Sequence, residues 1–229
     1  MSTLNDLLSG IKEASKEYSI KVLGGDTNES SCEWIAIATI GFTTARVPPS
    51  RSGLREGDVI VVTGIYGAMG FVAKHGIEHA SRITWVIRET KRPRLIPEIG
   101  YVIENFYKVI TASTDVSDGL GYTLSMLSKL SGYGIQLEKP PQVHKELAEY
   151  CNYDSECILE YALTGGEEYG VVLGVKEEWI SRVVSELEYY RIPYSIVGRA
   201  VSSPPGVYFR GKKLEVYRYD QFRKWVQIS

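Results

Sequence analysis

The sequence predicts a mixed α+β fold rather than a dinucleotide-binding α/β fold. Predicted strands and helices alternate along most of the chain, but the helices are unevenly spaced and no fixed repeat is visible. No Gly-x-Gly-x-x-Gly loop follows a predicted strand, as it would in a dinucleotide-binding fold. We therefore expect a mixed-sheet α/β sandwich as the C-terminal domain (54–229), preceded by a partial N-terminal α+β domain (1–46).

The predicted N-terminal domain contains one helix and two strands. Residues 3–18 place their apolar side chains on one helical face, and Thr3 is a suitable helix cap. A short strand is predicted at 21–23 and a second at 34–42. The second run is apolar at nearly every position, which is typical of a strand buried on both faces. Because one helix cannot cover both faces, this part resembles the last third of a larger domain.

The C-terminal domain follows a segment (47–53) whose Pro, Ser and Gly content is typical of a linker. Its predicted strands are 58–63, 109–114, 134–137, 169–175 and 194–200, with a hairpin of 207–210 and 212–217 about Gly211. Its predicted helices are 67–74, 119–130, 145–150, 155–161 and 177–190. A basic, Pro-interrupted helical stretch at 82–94 is interpreted as a solvated face in preference to an anion site.

Composition excludes several classes of protein. The 229 residues are 44% hydrophobic and 24% charged, so the chain can bury a core. A net charge of −2 argues against binding to nucleic acid or to an anionic membrane. The uncharged run 34–45 is too short to span a bilayer, and the charged first twenty residues do not resemble a secretory signal. A cytoplasmic location is expected.

The cysteines agree with a reducing compartment. The three cysteines, Cys32, Cys151 and Cys157, form an odd set without a Cys-x-x-Cys pair. A disulfide framework or a zinc site is therefore not expected. Cys151 and Cys157 lie in a predicted helical stretch and are interpreted as packing thiols.

Three loops place carboxylates beside glycine near predicted strands. They are 24–27 (Gly-Gly-Asp-Thr), 115–120 (Asp-Val-Ser-Asp-Gly-Leu) and 164–169 (Thr-Gly-Gly-Glu-Glu-Tyr). Each has an ordinary interpretation as a turn, a helix cap or a solvated strand start. Together they favour Mg²⁺–nucleotide chemistry, because carboxylates hold the metal while glycine lets backbone N–H groups approach phosphates. Asp115 and Asp118, three residues apart, are the candidate pair for one metal.

Other candidate sites are weaker. The glycines at 64, 67 and 70 are interpreted as a tight turn into a closely packed helix in preference to a phosphate loop. His75 and His79 have helical spacing, but Gly76 interrupts the helix and a third metal ligand is not evident. Neither Ser nor Cys occurs in a recognisable nucleophile motif.

The order of five motifs resembles the thiamine-monophosphate kinase family of the aminoimidazole ribonucleotide synthetase-like superfamily. The motifs occupy 24–27, 51–53 with 57–58 and 62–64, 115–120, 165–169 and 218–222. The resemblance covers essentially the whole chain, and the Gly-Gly-Asp-Thr form favours the kinase over its relatives. Three positions differ from the family pattern, since Glu168 replaces an Asp, Gly170 replaces an acidic residue and Gln221 replaces a His.

The resemblance implies specific roles for the motif residues. Asp26, Asp115 and Asp118 would be Mg²⁺ ligands, as the family pattern has it. ATP would lie near four residues, which are Gly25, Asp26, Arg51 and Ser117. Thiamine monophosphate would contact Glu167 and the aromatic ring of Tyr219. The implied reaction is transfer of the ATP γ-phosphoryl group to thiamine monophosphate, giving thiamine diphosphate and ADP.

The resemblance also implies what residues 1–46 belong to. The family has a longer N-terminal ATP-binding and dimerisation domain, whose Gly-Asp-Asp metal motif does not occur in this sequence. We therefore expect a kinase-type protein that needs a homodimer or a separate N-terminal-domain partner. Two alternatives stay open, a non-catalytic subunit that binds a nucleotide or a thiamine phosphate, and another ATP-dependent member of the superfamily.

Overall fold

The computed structural model describes the backbone of residues 2–220 and 224–228, and the side chains of 4–218 and 226–227. The chain divides into two compact units, unit 1 (Met1–Phe42) and unit 2 (Thr43–Ser229).

Unit 1 contains one helix, α1 (Ser2–Glu17), as its amphipathic pattern predicts. After the helix, Ser19 adopts a left-handed conformation (φ 53°). The Ser15 hydroxyl donates to the Ile20 carbonyl at 2.6 Å. Between residues 20 and 42, which are all described, there is no strand. The predicted strands 21–23 and 34–42 are therefore wrong for this structure. A strand is stabilised by hydrogen bonds to neighbouring strands, and the described part of unit 1 contains none.

Unit 2 contains a seven-stranded sheet in the order β2-β4-β1-β5-β3-β6-β7. Its strands are β1 (Val59–Thr63), β2 (Ile110–Asp115), β3 (Gly134–Leu137), β4 (Val171–Val175), β5 (Tyr194–Val201), β6 (Gly206–Phe209) and β7 (Lys212–Lys213). Neighbours pair antiparallel except β3 and β6, which are parallel, so the sheet is mixed as predicted. A separate ribbon pairs β8 (Val216–Asp220) with β9 (Lys224–Ile228), so the predicted hairpin strand 212–217 splits at Leu214.

Helices cover both faces of the sheet. They are α2 (Ala68–His75), α3 (Ile77–Ala80), α4 (Thr84–Lys91), α5 (Ile99–Phe106), α6 (Leu120–Ser131), α7 (Lys145–Tyr150), α8 (Ser155–Ala162) and α9 (Ile180–Tyr189), the last preceded by a 3-10 turn (Glu177–Trp179). Alternate residues of β1 enter two cores. Ile60 and Val62 pack with α6, whereas Val59 and Val61 pack with α5 and α9. The predicted α/β sandwich is confirmed.

A third cluster joins α2, α4, α7 and α8 around Phe71. It contains a disulfide between Cys151 and Cys157, whose Cα atoms are 5.6 Å apart, so the interpretation of these residues as packing thiols is wrong for this structure. The physical reason is a turn between α7 and α8, where Asn152 and Tyr153 both adopt left-handed backbone angles and bring the two cysteines together. Spacing alone did not reveal this reversal.

In the part of the chain that the structure describes, no helix combines the length and the apolar composition needed to cross a membrane.

Candidate functional site

The candidate site is built on β2, the strand at one edge of the sheet. The segment 50–53, at the end of the predicted linker, runs alongside this strand. Ser50 forms a parallel bridge with Ala112, and the Ser113 N–H donates to the Ser50 carbonyl at 3.1 Å. Gly53 passes so close that an added Cβ would lie 1.8 Å from the Thr111 carbonyl oxygen. This tight packing fixes the position of the intervening Arg51.

Arg51 lies beside the end of β2. Its Nη2 atom is 3.7 Å from Oδ1 of Asp115, and both side chains are more than half exposed, at 61% and 56%. An ion pair this exposed contributes about 0–1 kcal/mol to stability, so the pair is not needed to hold the fold. The pair places a guanidinium and a carboxylate together at an exposed edge of the sheet.

The two acidic loops of unit 2 are hydrogen-bonded to each other. The Glu167 N–H donates to the Ser117 carbonyl at 2.8 Å, and the Tyr169 N–H donates to the Val116 carbonyl at 3.1 Å. In the other direction, the Val116 N–H donates to the Gly170 carbonyl at 2.8 Å. The loops 115–120 and 164–169, which are far apart in sequence, therefore form one structure.

Glycine is required where these loops cross. A Cβ on Gly119 would lie 2.4 Å from the Gly165 carbonyl oxygen, and a Cβ on Gly166 would lie 2.3 Å from the Ser117 carbonyl oxygen. Gly119 and Gly165 also have left-handed φ angles, 108° and 93°, which other residues rarely adopt. The glycine-acid pattern in the sequence thus reflects backbone-to-backbone packing.

Ser117 and Asp118 are exposed at the start of α6. Asp118 precedes the cap residue Gly119, so its carboxylate lies near the positive end of the helix dipole. The Gly121 N–H donates to the Leu163 carbonyl of the same chain at 3.1 Å, so this amide is already hydrogen-bonded. The exposed groups at this helix end are therefore the Ser117 hydroxyl and the Asp118 carboxylate.

Glu167 and Tyr169 have unusual backbone conformations. Their φ angles are 61° and 48°, and a left-handed conformation costs a residue other than glycine about 1–3 kcal/mol. The Tyr169 hydroxyl donates to Oε2 of Glu167, and this hydrogen bond raises the pKa of Tyr169 to about 12. Such strain persists only where the surrounding structure holds it, and it is concentrated at functional sites.

Glu168 has a role that sequence reasoning missed. Its Oε1 atom accepts the Gly67 N–H at 2.7 Å and the Met69 N–H at 3.2 Å, so this carboxylate caps α2 from a distant part of the chain. Burial raises its pKa to about 8, although these backbone N–H donors act in the opposite direction. The interpretation of residues 167–168 as a solvated strand start is wrong for Glu168. One signal was available, because α2 begins Gly-Ala-Met and contains no capping side chain of its own.

The glycines at 64, 67 and 70 form a tight turn and a close packing surface at the start of α2, as predicted. Gly67 has a left-handed φ of 105°, and a Cβ there would lie 2.1 Å from Leu147 Cδ2. A Cβ on Gly70 would lie 1.9 Å from the Tyr161 carbonyl oxygen.

Three sequence-predicted site residues remain outside this arrangement. Gly25 and Asp26 belong to unit 1, where the Asp26 carboxylate accepts the Thr27 N–H at 2.9 Å and the Asn28 side-chain amide at 2.8 Å in a local turn. Convergence of Asp26 with Asp115 stays a prediction. Tyr219 is in β8, but its side chain lies outside the described residues.

Known proteins are similar to this chain in sequence and fold. Residues 55–209 match the family "AIR synthase related protein, C-terminal domain". The thiamine-monophosphate kinase of Aquifex aeolicus is 30% identical over 219 residues, covering 93% of this chain and 67% of the relative. A crystal structure of the Aquifex aeolicus enzyme has 27% identity and a TM-score of 0.54, covering 72% of this chain and 54% of that chain.

A second solved structure, AaThiL complexed with AMPPCP and TMP, has 26% identity and a TM-score of 0.56. The match covers 78% of this chain and 53% of that one, so the chain spans about half the length of these solved relatives. The family match, the curated relatives and the fold agree. The chain belongs to the AIR synthase-related family, within its thiamine-monophosphate kinase branch.

Proposed function

We propose that this chain takes part in ATP- and Mg²⁺-dependent phosphoryl transfer to thiamine monophosphate, giving thiamine diphosphate and ADP. The observation that carries the proposal is the placement of Arg51 beside Asp115, at the edge where the two acidic loops of unit 2 are joined. In the transfer, a phosphate oxygen of thiamine monophosphate forms a bond to the γ-phosphorus of ATP as the bond to ADP breaks. A site for this chemistry works by positioning and by charge neutralisation.

The acidic residues have donors suited to Mg²⁺. Asp115 and Asp118 present exposed carboxylate oxygens from one short loop. Mg²⁺ commonly keeps several waters and uses one or two carboxylates together with substrate phosphates, so it does not require a full protein cage. In the part that the structure describes, no group of three metal-ligating side chains occurs, which is consistent with a metal that the nucleotide helps to hold. When bound, Mg²⁺ neutralises phosphate charge, and Asp26 would be its third protein ligand.

The remaining residues would bind and orient the two substrates. The Arg51 guanidinium is suited to phosphate oxygens and would exchange its weak contact with Asp115 for the nucleotide. The Ser117 hydroxyl and the backbone of Gly25 would lie near ATP. The Glu167 carboxylate and the Tyr219 ring would bind the cationic thiazolium, which an anion and an aromatic face both attract.

We further propose that turnover needs more than this chain's own residues. The chain covers 67% of the Aquifex relative and about half of the solved structures. The residues of the relatives outside this match would supply the rest of the metal and ATP site, either from a homodimer or from a separate N-terminal-domain partner. The chain alone should therefore bind ligands weakly and turn over little.

The test is thiamine diphosphate formation from ATP, Mg²⁺ and thiamine monophosphate. We expect little product from the chain alone and turnover when an N-terminal domain from a relative is added. In that mixture, Asp115→Asn should lower turnover by at least about a hundredfold, because a phosphoryl-transfer site depends on charge neutralisation. Arg210→Ala is the matched control, since it removes an equally exposed ion pair, with Glu156, on the β6–β7 hairpin. Asp115→Asn with full turnover would refute the proposed site.

The second candidate is a binding subunit without catalysis. It rests on the same exposed pair, Arg51 and Asp115, because a guanidinium can bind a phosphate ligand without catalysing a transfer. This candidate predicts thiamine monophosphate or AMPPCP binding that Arg51→Ala or Asp115→Asn weakens, with no product under any combination of partners. Calorimetric titration of the same variants, beside the turnover assay, distinguishes the two functions.

A further inference from the structure

Helix α2 depends on another part of the chain for its N-terminal cap. Its cap position is Gly67, which has no side chain, and its first residues are Ala68 and Met69. The first N–H groups of a helix have no partner within the helix. Here the Gly67 and Met69 N–H groups donate to Oε1 of Glu168, at 2.7 and 3.2 Å. Glu168 therefore connects the loop 164–169 to the start of α2.

The residues on either side of Glu168 point to a second role for this contact. Glu167 and Tyr169 are both left-handed, and their N–H groups donate to the Ser117 and Val116 carbonyls. These hydrogen bonds hold the loop against the segment 115–119. The Glu168 side chain holds the same loop through its contact with the start of α2. The strained conformation of Glu167 is thus held between two anchors.

The loop 164–169 packs closely against the backbone of α2. A Cβ on Gly165 would lie 2.6 Å from the Gly70 nitrogen, so the loop lies directly on the first turn of α2. A Cβ on Gly170 would lie 2.1 Å from both the Thr63 carbonyl oxygen and the Tyr66 hydroxyl. The loop is therefore in close backbone contact with the first turn of α2, whose N–H groups also bind Glu168.

We propose that Glu168 is a positioning residue, which holds the loop 164–169 on α2 and thereby sets the place of Glu167 and of the segment 115–119. The proposal rests on the proposed function for its consequence in substrate binding, but not for its structural part. Glu168 acts through Glu167 and does not itself contact the substrate.

The two oxygens of Glu168 differ in a way that defines the test. Oε1 accepts both N–H groups, while Oε2 is buried and has no hydrogen-bond partner among the described residues. Tyr66, the titratable group beside it, donates its hydroxyl to the Thr63 carbonyl at 2.8 Å. Since one oxygen makes the contact, a glutamine at position 168 should preserve it, whereas a methionine of similar size should not.

The experiment compares Glu168→Met with Glu168→Gln by amide hydrogen exchange of the full chain. We expect Glu168→Met to accelerate exchange in the peptides covering 115–119 and 164–170 by about tenfold or more, because a buried hydrogen-bonded anchor is lost. Glu168→Gln should exchange as the unmodified chain does. Asp154→Ala is the matched control, because Asp154 caps α8 by accepting the Cys157 N–H at 2.8 Å, at the helix end away from the loop. It should leave both loop peptides unchanged.

Two results would overturn the role of Glu168. One is unchanged exchange of the loop peptides in Glu168→Met. The other is accelerated exchange of these peptides in Glu168→Gln, a variant that is expected to fold. Calorimetric titration with thiamine monophosphate then tests the consequence, with about tenfold weaker binding expected for Glu168→Met and rescue by Glu168→Gln. If the unmodified chain does not bind thiamine monophosphate, the proposed function fails while the exchange result still decides the positioning role.

Discussion

The two units of this chain contain similar apolar runs with different outcomes. In unit 2, the residues of β1 are all buried, and the strand pairs with β4 on one side and β5 on the other. In unit 1, the run 34–42 forms no strand, and Trp34 and Phe42 are 74% and 100% exposed. The comparison teaches that an apolar run has the potential to form a strand, while neighbouring strands decide whether it does.

The helices of the two units repeat this contrast. Both α1 and α9 have a strongly amphipathic pattern, and both are helical. In α9 the apolar residues Val183 and Leu187 are completely buried against the sheet, whereas Leu7 and Leu8 of α1 are exposed. A helix satisfies its own backbone hydrogen bonds, so it forms where a strand does not. The exposed apolar residues of unit 1 are therefore available for a partner.

The largest effect is expected on assembly. We expect the full chain to self-associate, or to bind a separate N-terminal-domain partner, through residues 1–45, because this segment has several large exposed apolar side chains. Deletion of 1–42 should give a monomer in light scattering, with the thermal transition of unit 2 retained. A full chain that is monomeric in dilute solution, with Trp34 shielded from fluorescence quenchers, would contradict this prediction.

The next effect compares one glycine from each unit. Gly170→Ala should destabilise the protein by about 3 kcal/mol, because the added Cβ would lie 2.1 Å from the Thr63 carbonyl oxygen and the Tyr66 hydroxyl. Gly41→Ala, whose Cβ would meet nothing within 4 Å, should leave stability unchanged. Urea unfolding measures both variants. Equal midpoints for the two would show that the space around Gly170 is not restrictive.

Gly170 also shows what the sequence could not predict. The resemblance indicated that an acidic residue of the family pattern is replaced here, but not that a Cβ at this position would meet the distant Thr63 and Tyr66. In contrast, helices and strands of unit 2 were largely predictable, because their periodicity is local. In unit 1 the failure was the missing strand pairs, which depend on neighbouring strands elsewhere in the chain. In unit 2 the failures were the disulfide between Cys151 and Cys157, which depends on the left-handed turn between them, and the C-terminal end of β7.

In the candidate site, too, some features could be predicted from the sequence and others could not. The side chains of Arg51 and Asp115 are 3.7 Å apart. The roles that the resemblance implies for them, in binding ATP and Mg²⁺, stay predictions. The role of Glu168 was not predicted, because a capping side chain that lies 101 residues from Gly67 in sequence leaves no periodic pattern. Sequence patterns thus identified the exposed acids, while the buried acid became evident only from its partners.

The third effect is a pH dependence of stability that arises from Glu168. Its pKa is raised to about 8 in the folded state, so the folded chain keeps a proton that the unfolded chain has released. Stability is then greatest below the unfolded pKa and falls as pH rises towards 8. We expect a loss of about 2 kcal/mol between pH 6 and pH 8. Glu168→Gln, which does not titrate, should lack this component in urea unfolding at each pH. Parallel pH profiles for the two proteins would contradict the raised pKa.

The smallest effect concerns the link between α7 and α8. Cys151 and Cys157 are six residues apart in sequence, and joining them removes conformations from the unfolded chain. A loop this short corresponds to about 2 kcal/mol in the chain-entropy treatment. We expect Cys157→Ser to lower the free energy of unfolding by that amount in oxidising buffer. The difference should disappear in a reducing buffer, where the unmodified chain also lacks the bond.

Cys32→Ser is the matched control, because Cys32 is exposed, free and in unit 1. It should leave stability unchanged in both buffers, so that any effect of Cys157→Ser belongs to the link in unit 2. Mass spectrometry of alkylated protein reports directly on the number of free thiols. If all three cysteines are alkylated without reduction, the two residues are packing thiols after all. In that case the turn at Asn152 and Tyr153 would be held by packing around Phe71 rather than by a covalent link.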